Sequence, residues 1–220
     1  MKYIDIVEKL NKSLGLPKQM EAFASQVPKG SLVLDAGSGI SPYRKLFAHA
    51  KYESADFHKV DKKYEPSTYI CDLANIPVEN ERFDFVIFTQ VMEHLAEPQK
   101  VLAELHRVLK KGGVMFASAP LSYEEHEVPY DFFRFTQFAW KKLLDDAGFE
   151  IQKLDWIDGY FLTLSHQFDI MNRLFSKSKI YYWPIKIFAK FFMILFLFLE
   201  TKKKLKVGMP LNYFCIAVKS

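Results

Sequence analysis

The chain has 220 residues, half of them apolar and a quarter charged. These values are typical of one globular domain, or of one domain with an insertion, and they exclude disordered and fibrous proteins. The two cysteines, Cys71 and Cys215, are too few for a disulfide framework or a cysteine-rich zinc site.

Charge is distributed unevenly along the chain. Residues 170–220 contain nine lysines and one arginine against a single acid, Glu200, a balance of +9, whereas residues 1–169 carry 20 basic and 25 acidic side chains. A basic tail on an acidic body indicates an anionic partner, such as a phospholipid surface or a phosphorylated substrate. We expect no nucleic-acid partner, because the basic residues flank an apolar run and form no polar face.

The first ten residues show no secretory signal, since no basic segment is followed by an apolar one. We therefore expect a cytoplasmic protein whose thiols are reduced. The basic tail adds the alternative of a peripheral position on the inner face of a membrane.

Apolar runs alternate with helical patterns along most of the chain. Two short helices are predicted first, at 3–14 and 18–27. Strands are then predicted from short apolar runs at 31–35, 52–56, 68–71, 83–88, 114–117, 149–156 and 211–218. Helices are predicted between them at 42–50 with Ser41 as N-cap, at 98–109 with residues 110–113 as its end, and at 136–147 with Thr136 as N-cap. The alternation predicts an α/β fold with a doubly wound, mostly parallel seven-stranded sheet of the Rossmann type.

Residues 157–206 interrupt this alternation, because they are mostly apolar and helical in pattern. We interpret them as a helical insertion before the last strand. The predicted organisation is thus a pair of N-terminal helices over 1–30, a ligand-binding domain formed by 31–156 with 207–220, and the insertion at 157–206.

A glycine-containing turn follows the first predicted strand and consists of Asp35, Gly37, Ser38 and Gly39 with the intervening alanine. Glycine lets the backbone turn sharply and approach a ligand without interference from a Cβ atom. A dinucleotide-binding turn would need Gly or Ala at position 42, which is Pro42, so nicotinamide and flavin dinucleotides are disfavoured. A plain strand-to-helix turn is the alternative interpretation.

Residues 33–120 resemble the class I S-adenosylmethionine-dependent methyltransferases, in particular those of type 11. The resemblance rests on four ordered motifs: the acid and glycines of 35–39, with Ser41 in place of a third glycine, and the segments 71–73, 83–95 and 109–113. It implies a methyltransferase with S-adenosylmethionine as cofactor. In that family the glycine turn lies under the methionine part of the cofactor.

The resemblance also implies roles for side chains beyond the turn. Asp56, at the end of the second strand, would accept hydrogen bonds from both ribose hydroxyls. Asp72 would accept one from the adenine amino group, and Leu73 would pack on the ring. Gln90, which follows the fourth strand, completes the predicted cofactor-binding residues. The alternative for Asp56 is an ordinary solvated acid at the end of a strand. The alternative for Asp72 is an acid that caps the following turn.

Acceptor chemistry is expected after the fourth and fifth strands, because ligands bind at the carboxyl ends of parallel strands. Methyl transfer from a sulfonium depends on positioning the acceptor, and an oxygen acceptor also needs a base. His94 and His126 are the candidate bases, and Asp131 and Arg134 are predicted to orient the acceptor. For His94 a structural role is the alternative. Its neighbour Glu93 belongs to the same family motif, and the alternative for it is an exposed acid in a loop.

The segment 125–136 mixes these polar residues with phenylalanines ahead of a helix. It resembles the corresponding segment of methyltransferases from bacterial surface-polysaccharide and lipid-linked glycan pathways. No metal site is predicted, because the histidines form no His-x-x-x-His pair and no group with cysteine.

Residues 187–199 are the most apolar part of the insertion. Lysines lie on both sides of its uninterrupted apolar run, and the aromatic residues 181–183 lie just before it. The uninterrupted run, 191–199, is about half as long as the ~20 residues that a spanning helix needs. An interfacial membrane anchor within 181–206 fits this pattern. A buried helix of a homodimer fits nearly as well, and a tilted span fits less well.

The sequence therefore predicts a methyltransferase acting on an oxygen of a glycan, glycolipid or small metabolite, with a lipid-linked glycan among the candidate acceptors. A quinone- or lipid-type methyltransferase is the alternative enzyme, because His94 and the apolar insertion suit it as well. A non-catalytic module that only binds S-adenosylmethionine is the alternative outside enzymes.

Overall fold

The computed structural model describes residues 15–59, 63–174, 182–202 and 205–220. The helix predicted at 3–14 lies outside these ranges. Within them the chain forms two compact units: residues 20–155 with 213–220, and residues 156–212 with the short stretch before residue 20.

A seven-stranded sheet is the main element of the fold. Its strands are β1 (Leu32–Ala36), β2 (Lys51–Asp56), β3 (Tyr69–Ile70), β4 (Phe83–Thr89), β5 (Leu109–Pro120), β6 (Phe149–Trp156) and β7 (Asn212–Lys219). They lie in the order β3-β2-β1-β4-β5-β7-β6, and the pairs among β1 to β5 are parallel. The predicted doubly wound α/β sheet, with helices inserted before the last strand, is confirmed.

Helices connect most of these strands. The α-helices of the described ranges are α1 (Gly15–Ala24), α2 (Pro98–Val108), α3 (Gln137–Asp146), α4 (Tyr160–Leu174) and α5 (Tyr182–Lys202). Helix α3 begins as predicted, because the Oγ1 atom of Thr136 accepts a hydrogen bond from the backbone N–H of Ala139 at 3.3 Å.

The core of the first unit lies along β1, β4 and β5, whose central residues are fully buried, as parallel strands covered on both faces require. The ring of Phe23, on α1, packs against the rings of Phe47, Phe85 and Phe116 with centroids 5.3 to 6.4 Å apart. This packing holds α1 against β4 and β5. The candidate site lies at the carboxyl ends of the strands.

The helix predicted at 42–50 is wrong, and so is Ser41 as its N-cap. The structure has a single 3-10 turn, Arg44–Phe47, and Ser41 adopts a positive φ of 48°. The backbone bonds in this region join residues three apart, as from Leu46 N to Tyr43 O and from Ala50 N to Phe47 O. An α-helix cannot follow from a left-handed residue joined to such tight turns.

The fifth strand is longer than the predicted 114–117. It begins at Leu109, immediately after α2, and Leu109 pairs with Phe83. The register then shifts before Phe85 pairs with Val114, so the basic and glycine residues 110–113 form an irregularity inside the strand. Helix α2 ends just before these residues, as predicted, but β5 begins at Leu109 without an intervening loop.

Helices α4 and α5 pack against each other in the second unit. The ring of Phe168 stacks on Phe192 at 5.3 Å, and the hydroxyl of Ser165 donates to the backbone oxygen of Met193 at 3.1 Å. The buried carboxylate of Glu200 accepts a hydrogen bond from Gly159 N at 2.6 Å. Across the described ranges, none of the helices has the combined length and apolar character needed to cross a bilayer.

We expect Thr136→Ala to lower the free energy of unfolding by about 1 kcal/mol, because the first turn of α3 loses its side-chain acceptor. Urea denaturation followed by far-ultraviolet circular dichroism measures this loss. The control is Thr136→Ser, which keeps the hydroxyl and should retain most of the stability. Equal losses in the two variants would contradict the capping role.

Candidate active site

Two adjoining cavities open where β1 and β4 end, with volumes of about 370 and 320 Å³. Strand β1 lies between β2 and β4, so the strand order reverses at this point, where open α/β sheets bind their ligands. Gly37, Gln90 and Glu127 line both cavities. The first is also lined by residues at or after the ends of β2, β3, β4 and β5, among them Asp56, Asp72, Leu73, His94, Tyr130 and Phe132. The second is also lined by Asp35, Ser38 and Gly39.

The glycine turn is held by the end of β2 and by the residue that follows β4. The N–H groups of Gly37 and Ser38 donate to Ala55 O at 2.8 and 3.3 Å. Gly37 has a φ of +77°, and a Cβ atom there would lie 2.3 Å from Cγ2 of Val91. Position 37 therefore accommodates only glycine. At Gly39 a Cβ atom would meet nothing within 4 Å, so the backbone faces open space.

Asp56 closes the turn from the opposite side. Its Oδ2 accepts from Gly39 N at 2.8 Å, and its Oδ1 accepts from His58 N at 2.9 Å. Each carboxylate oxygen has a second lone pair, so both can still accept a hydrogen bond from a ligand in the first cavity. The same residue thus shapes the backbone and presents acceptors to a ligand.

Asp72 and Leu73 follow β3 on the wall of the first cavity. Oδ1 of Asp72 accepts from Ala74 N at 2.9 Å, which is the turn-capping role that the sequence left open. The side chain is nevertheless exposed at the cavity, and Leu73 beside it is buried. Capping and ligand binding are therefore compatible at Asp72.

Asp35 is a buried carboxylate on the wall of the second cavity. Burial raises its pKa to about 6, although a hydrogen bond from the Tyr52 hydroxyl acts in the opposite direction. A positively charged ligand group in this cavity would favour the ionised form.

Gln90 joins the ends of β4 and β5 beneath both cavities. Its backbone N donates to Ser118 O at 2.9 Å, and its Nε2 donates to Ser118 Oγ at 3.1 Å. It also has a positive φ of 54°, which turns the chain out of the strand.

The two candidate histidines meet edge to face, although they are distant in sequence. Their ring centroids lie 4.6 Å apart. Nδ1 of His94 lies 2.6 Å from Tyr130 O, so this nitrogen carries the proton and donates, which leaves Nε2 with its lone pair. Burial lowers the pKa of His94 and so favours the neutral ring. His94 lines the first cavity, whereas His126 is not among the described residues lining either cavity.

Asp131 and Arg134 form a paired support beneath His126. The guanidinium donates to both carboxylate oxygens at 2.6 and 2.7 Å and holds the pKa of Asp131 well below its usual range. Oδ2 of Asp131 also accepts from the backbone N of His126 at 2.8 Å and lies 3.3 Å from its Nδ1. The structure therefore brings these two residues to the histidine loop, whereas the described lining of the two cavities does not include them.

Glu93 is the functional candidate that sequence reasoning left open. It is fully buried, and neither carboxylate oxygen has a hydrogen-bond partner among the described residues. Burial raises its pKa to about 8. Its Oε1 lies 3.8 Å from Nε2 of His94, and its backbone oxygen accepts from Phe132 N at 2.8 Å. The sequence indicated Glu93 only as an acid next to His94. Its burial could not be predicted, because the loop that contacts it, through Phe132, is distant in sequence.

The profile of the family described as methyltransferase domain matches residues 34–117. The chain is 28% identical over 146 residues to an uncharacterized protein of Methanocaldococcus jannaschii, covering 60% of this chain and 70% of that protein. It is 28% identical over 114 residues to a tRNA (carboxymethyluridine(34)-5-O)-methyltransferase of Arabidopsis thaliana, covering 49% and 28%. It is 26% identical over 147 residues to the ubiquinone/menaquinone biosynthesis C-methyltransferase UbiE of Burkholderia mallei, covering 58% and 60%. The chain thus spans less than two thirds of either named methyltransferase.

Solved structures share the fold at lower identity. The [4+2]-cyclase SpnF superposes with a TM-score of 0.59 at 16% identity, covering 92% of this chain and 80% of that one. Phosphoethanolamine N-methyltransferase 2 of Haemonchus contortus, in complex with phosphomonomethylethanolamine and S-adenosylhomocysteine, superposes with a TM-score of 0.58 at 18% identity, covering 92% and 52%.

We expect Gly37→Ala and Gly39→Ala to act differently. Gly37→Ala should lower the free energy of unfolding by about 2–3 kcal/mol, because the new methyl overlaps Val91. Gly39→Ala should cost about 1 kcal/mol, from its positive φ alone. Chemical denaturation without ligand measures both values. Equal losses would show that Val91 does not confine the turn.

Proposed function

Because the chain belongs to the class I S-adenosylmethionine-dependent methyltransferases, we propose that it transfers the cofactor's methyl group to an oxygen atom of a small-molecule or lipid-linked acceptor. The observation that supports this most is the continuity of the site. Gly37 of the glycine turn lines both cavities, and Asp56, Asp72 and His94 line the first of them. Cofactor and acceptor could therefore lie side by side without a change in the sheet.

The residues of the turn fit the cofactor in chemistry and in space. The open face of Gly39 leaves room for the methionine part, and the buried Ser38 hydroxyl has no hydrogen-bond partner among the described residues. Asp56 would accept from the ribose hydroxyls, and Asp72 with Leu73 would hold the adenine. The cofactor's ammonium group would suit the buried Asp35, since a cation favours the ionised carboxylate.

The acceptor oxygen would attack the methyl carbon of the sulfonium. A C–O bond forms, the C–S bond breaks with its electron pair left on sulfur, and neutral S-adenosylhomocysteine departs. The acceptor's proton must leave at the same site. His94 lines the first cavity, and its Nε2 atom holds a lone pair, so we propose it as the base. His126 would hold the His94 ring in place by packing edge to face against it, and Asp131 with Arg134 would hold the loop that carries His126.

A carbon acceptor of quinone type is the second candidate. It is supported by the similarity to UbiE and by Phe57, Tyr130 and Phe132, which line the first cavity with aromatic surface. A glycan acceptor would instead require hydrogen-bonding groups such as Glu127 on the same wall. Competition between the two acceptor classes in a methyl-transfer assay distinguishes them.

The cofactor arm is tested by calorimetry with S-adenosylhomocysteine. We expect saturable binding to the wild-type chain and at least tenfold weaker binding to Asp56→Ala, because the acceptors for the ribose hydroxyls are removed. The matched control is Asp145→Ala, which removes an exposed carboxylate of α3 and should bind as the wild type does. Saturable binding without any turnover of S-adenosylmethionine would favour the non-catalytic module. No binding to a folded wild-type chain would refute the assignment of the site.

We also propose that α5 lies on an anionic membrane surface. Trp183, Ile187 and Phe191 recur at intervals of one helical turn, and each is more than 60% exposed. Lys186 and Lys190 lie on the same helix, as interfacial helices bound to anionic lipids require. Apolar side chains of this stripe would enter the membrane interface while the lysines pair with anionic headgroups, so we propose phospholipid as the partner that covers it.

Vesicle sedimentation tests the membrane proposal. The wild-type chain should sediment with vesicles containing phosphatidylglycerol, and less with pure phosphatidylcholine or in high salt. The double variant Ile187→Glu/Phe191→Glu should stay in the supernatant, whereas Phe138→Glu, which alters an equally exposed side chain on α3, should sediment. A wild-type dimer that the double variant dissociates, without vesicle binding by either, would establish the homodimer instead.

A further inference from the structure

We propose that Glu93, His94 and His126 form a binding site for a divalent transition-metal ion beside the acceptor cavity. One potential ligand atom from each residue lies within 4.8 Å of the other two. Two imidazoles and one carboxylate are a common ligand set for zinc, manganese and iron(II), and they leave further coordination positions open. The metal site itself is argued from the cluster alone. Only its effect on catalysis rests on the proposed function.

The carboxylate of Glu93 is the strongest indication of a missing ligand. It is fully buried and has no hydrogen-bond donor among the described residues. A buried polar group without a hydrogen-bond partner is costly. Its nearest described polar neighbour in the cluster is Nε2 of His94, 3.8 Å away, which is itself a lone-pair atom when Nδ1 is protonated. A cation between two such acceptors would satisfy both.

In both imidazoles the Nδ1 atom has an oxygen neighbour of the kind that supports a metal-bound histidine. A ligating histidine donates its other ring N–H to a carbonyl or a carboxylate, which fixes the tautomer. Nδ1 of His94 has Tyr130 O at 2.6 Å, and Nδ1 of His126 has Glu124 O at 3.2 Å and the Asp131 carboxylate at 3.3 Å. In each ring the Nε2 lone pair is then the one available to a metal.

Two further contacts hold the cluster together from outside. The Arg134 guanidinium grips both oxygens of Asp131, and Asp131 also binds the backbone of His126. Phe132 N donates to the backbone oxygen of Glu93 at 2.8 Å, so the loop carrying His126 is tied to the segment carrying Glu93 and His94. The three ligands thus come from two loops joined independently of any ion.

A metal here would change how the acceptor is activated. Because His94 lines the first cavity, a metal held by its Nε2 would lie close to that cavity. An acceptor oxygen that took an open coordination position would have its pKa lowered. The proton would then leave to water before the methyl carbon is attacked. With a metal bound, both histidines would be ligands, so His94 would no longer serve as the base proposed above for the metal-free site. Asp131 with Arg134 would be positioning residues behind His126.

Titration with Co²⁺ alone, on the full chain without a histidine tag and after treatment with a chelator, tests the proposal. We expect one Co²⁺ per chain, detected by its visible absorption and by calorimetry, and competition by Zn²⁺. Glu93→Gln and His126→Asn should weaken Co²⁺ binding more than a hundredfold, and Asp131→Asn by about 10- to 100-fold. His106→Asn, which removes a histidine outside the cluster, is the control and should bind Co²⁺ normally.

Circular dichroism melting keeps the outcomes distinct from loss of the fold. Glu93→Gln replaces a buried, unpartnered carboxyl group with an amide of the same shape that cannot ionise, so its melting temperature without metal should match or exceed that of the wild type. S-adenosylhomocysteine binding by Glu93→Gln should be retained, so that failure of the metal site and failure of the cofactor site are separate results. Absence of saturable Co²⁺ binding to the wild type, or equal binding by Glu93→Gln, would overturn the proposal.

Discussion

The contact between the glycine turn and Val91 is the constraint on which the site depends. Gly37 approaches Val91 so closely that no Cβ atom fits, and its N–H is bonded to Ala55 O on the other side. The turn is therefore held between the chain leaving β2 and the chain leaving β4. This position aims the backbone of Gly39 at Asp56, and it puts the segment with Glu93 and His94 beside the same cavities.

Two buried carboxylates show that the site is built at the expense of stability. Asp35 and Glu93 both have a pKa raised by burial, to about 6 and about 8. An unfolded chain would ionise both near their ordinary pKa, so each residue makes the folded state less stable as pH rises toward its folded value. Such groups are retained where a ligand compensates them: the cofactor's ammonium at Asp35 and, by our proposal, a metal ion at Glu93.

The sequence predicted elements well where hydrophobic periodicity is strong and less well where tight turns intervene. Strand β6 matches its predicted bounds, and Thr136 caps α3 as expected. The sequence predicts a helix after Ser41, because Pro42 suits the first turn of a helix. In the fold, Ser41 is left-handed and the bonds that follow span three residues. Local residue preferences cannot anticipate that, since the conformation follows from fitting the turn against the sheet.

By itself the sequence determined the doubly wound sheet, the glycine turn and the acids at the ends of β2 and β3, because periodicity and glycine placement are local properties. The tertiary structure alone decided which polar residues meet. Asp131 and Arg134 were predicted to orient an acceptor, but they pair with each other and support His126. Glu93 and His126 belong to separate loops, and only the parallel strands β4 and β5, ending at one edge of the sheet, bring them together. Contact between distant segments is set by packing, and no spacing along the chain encodes it.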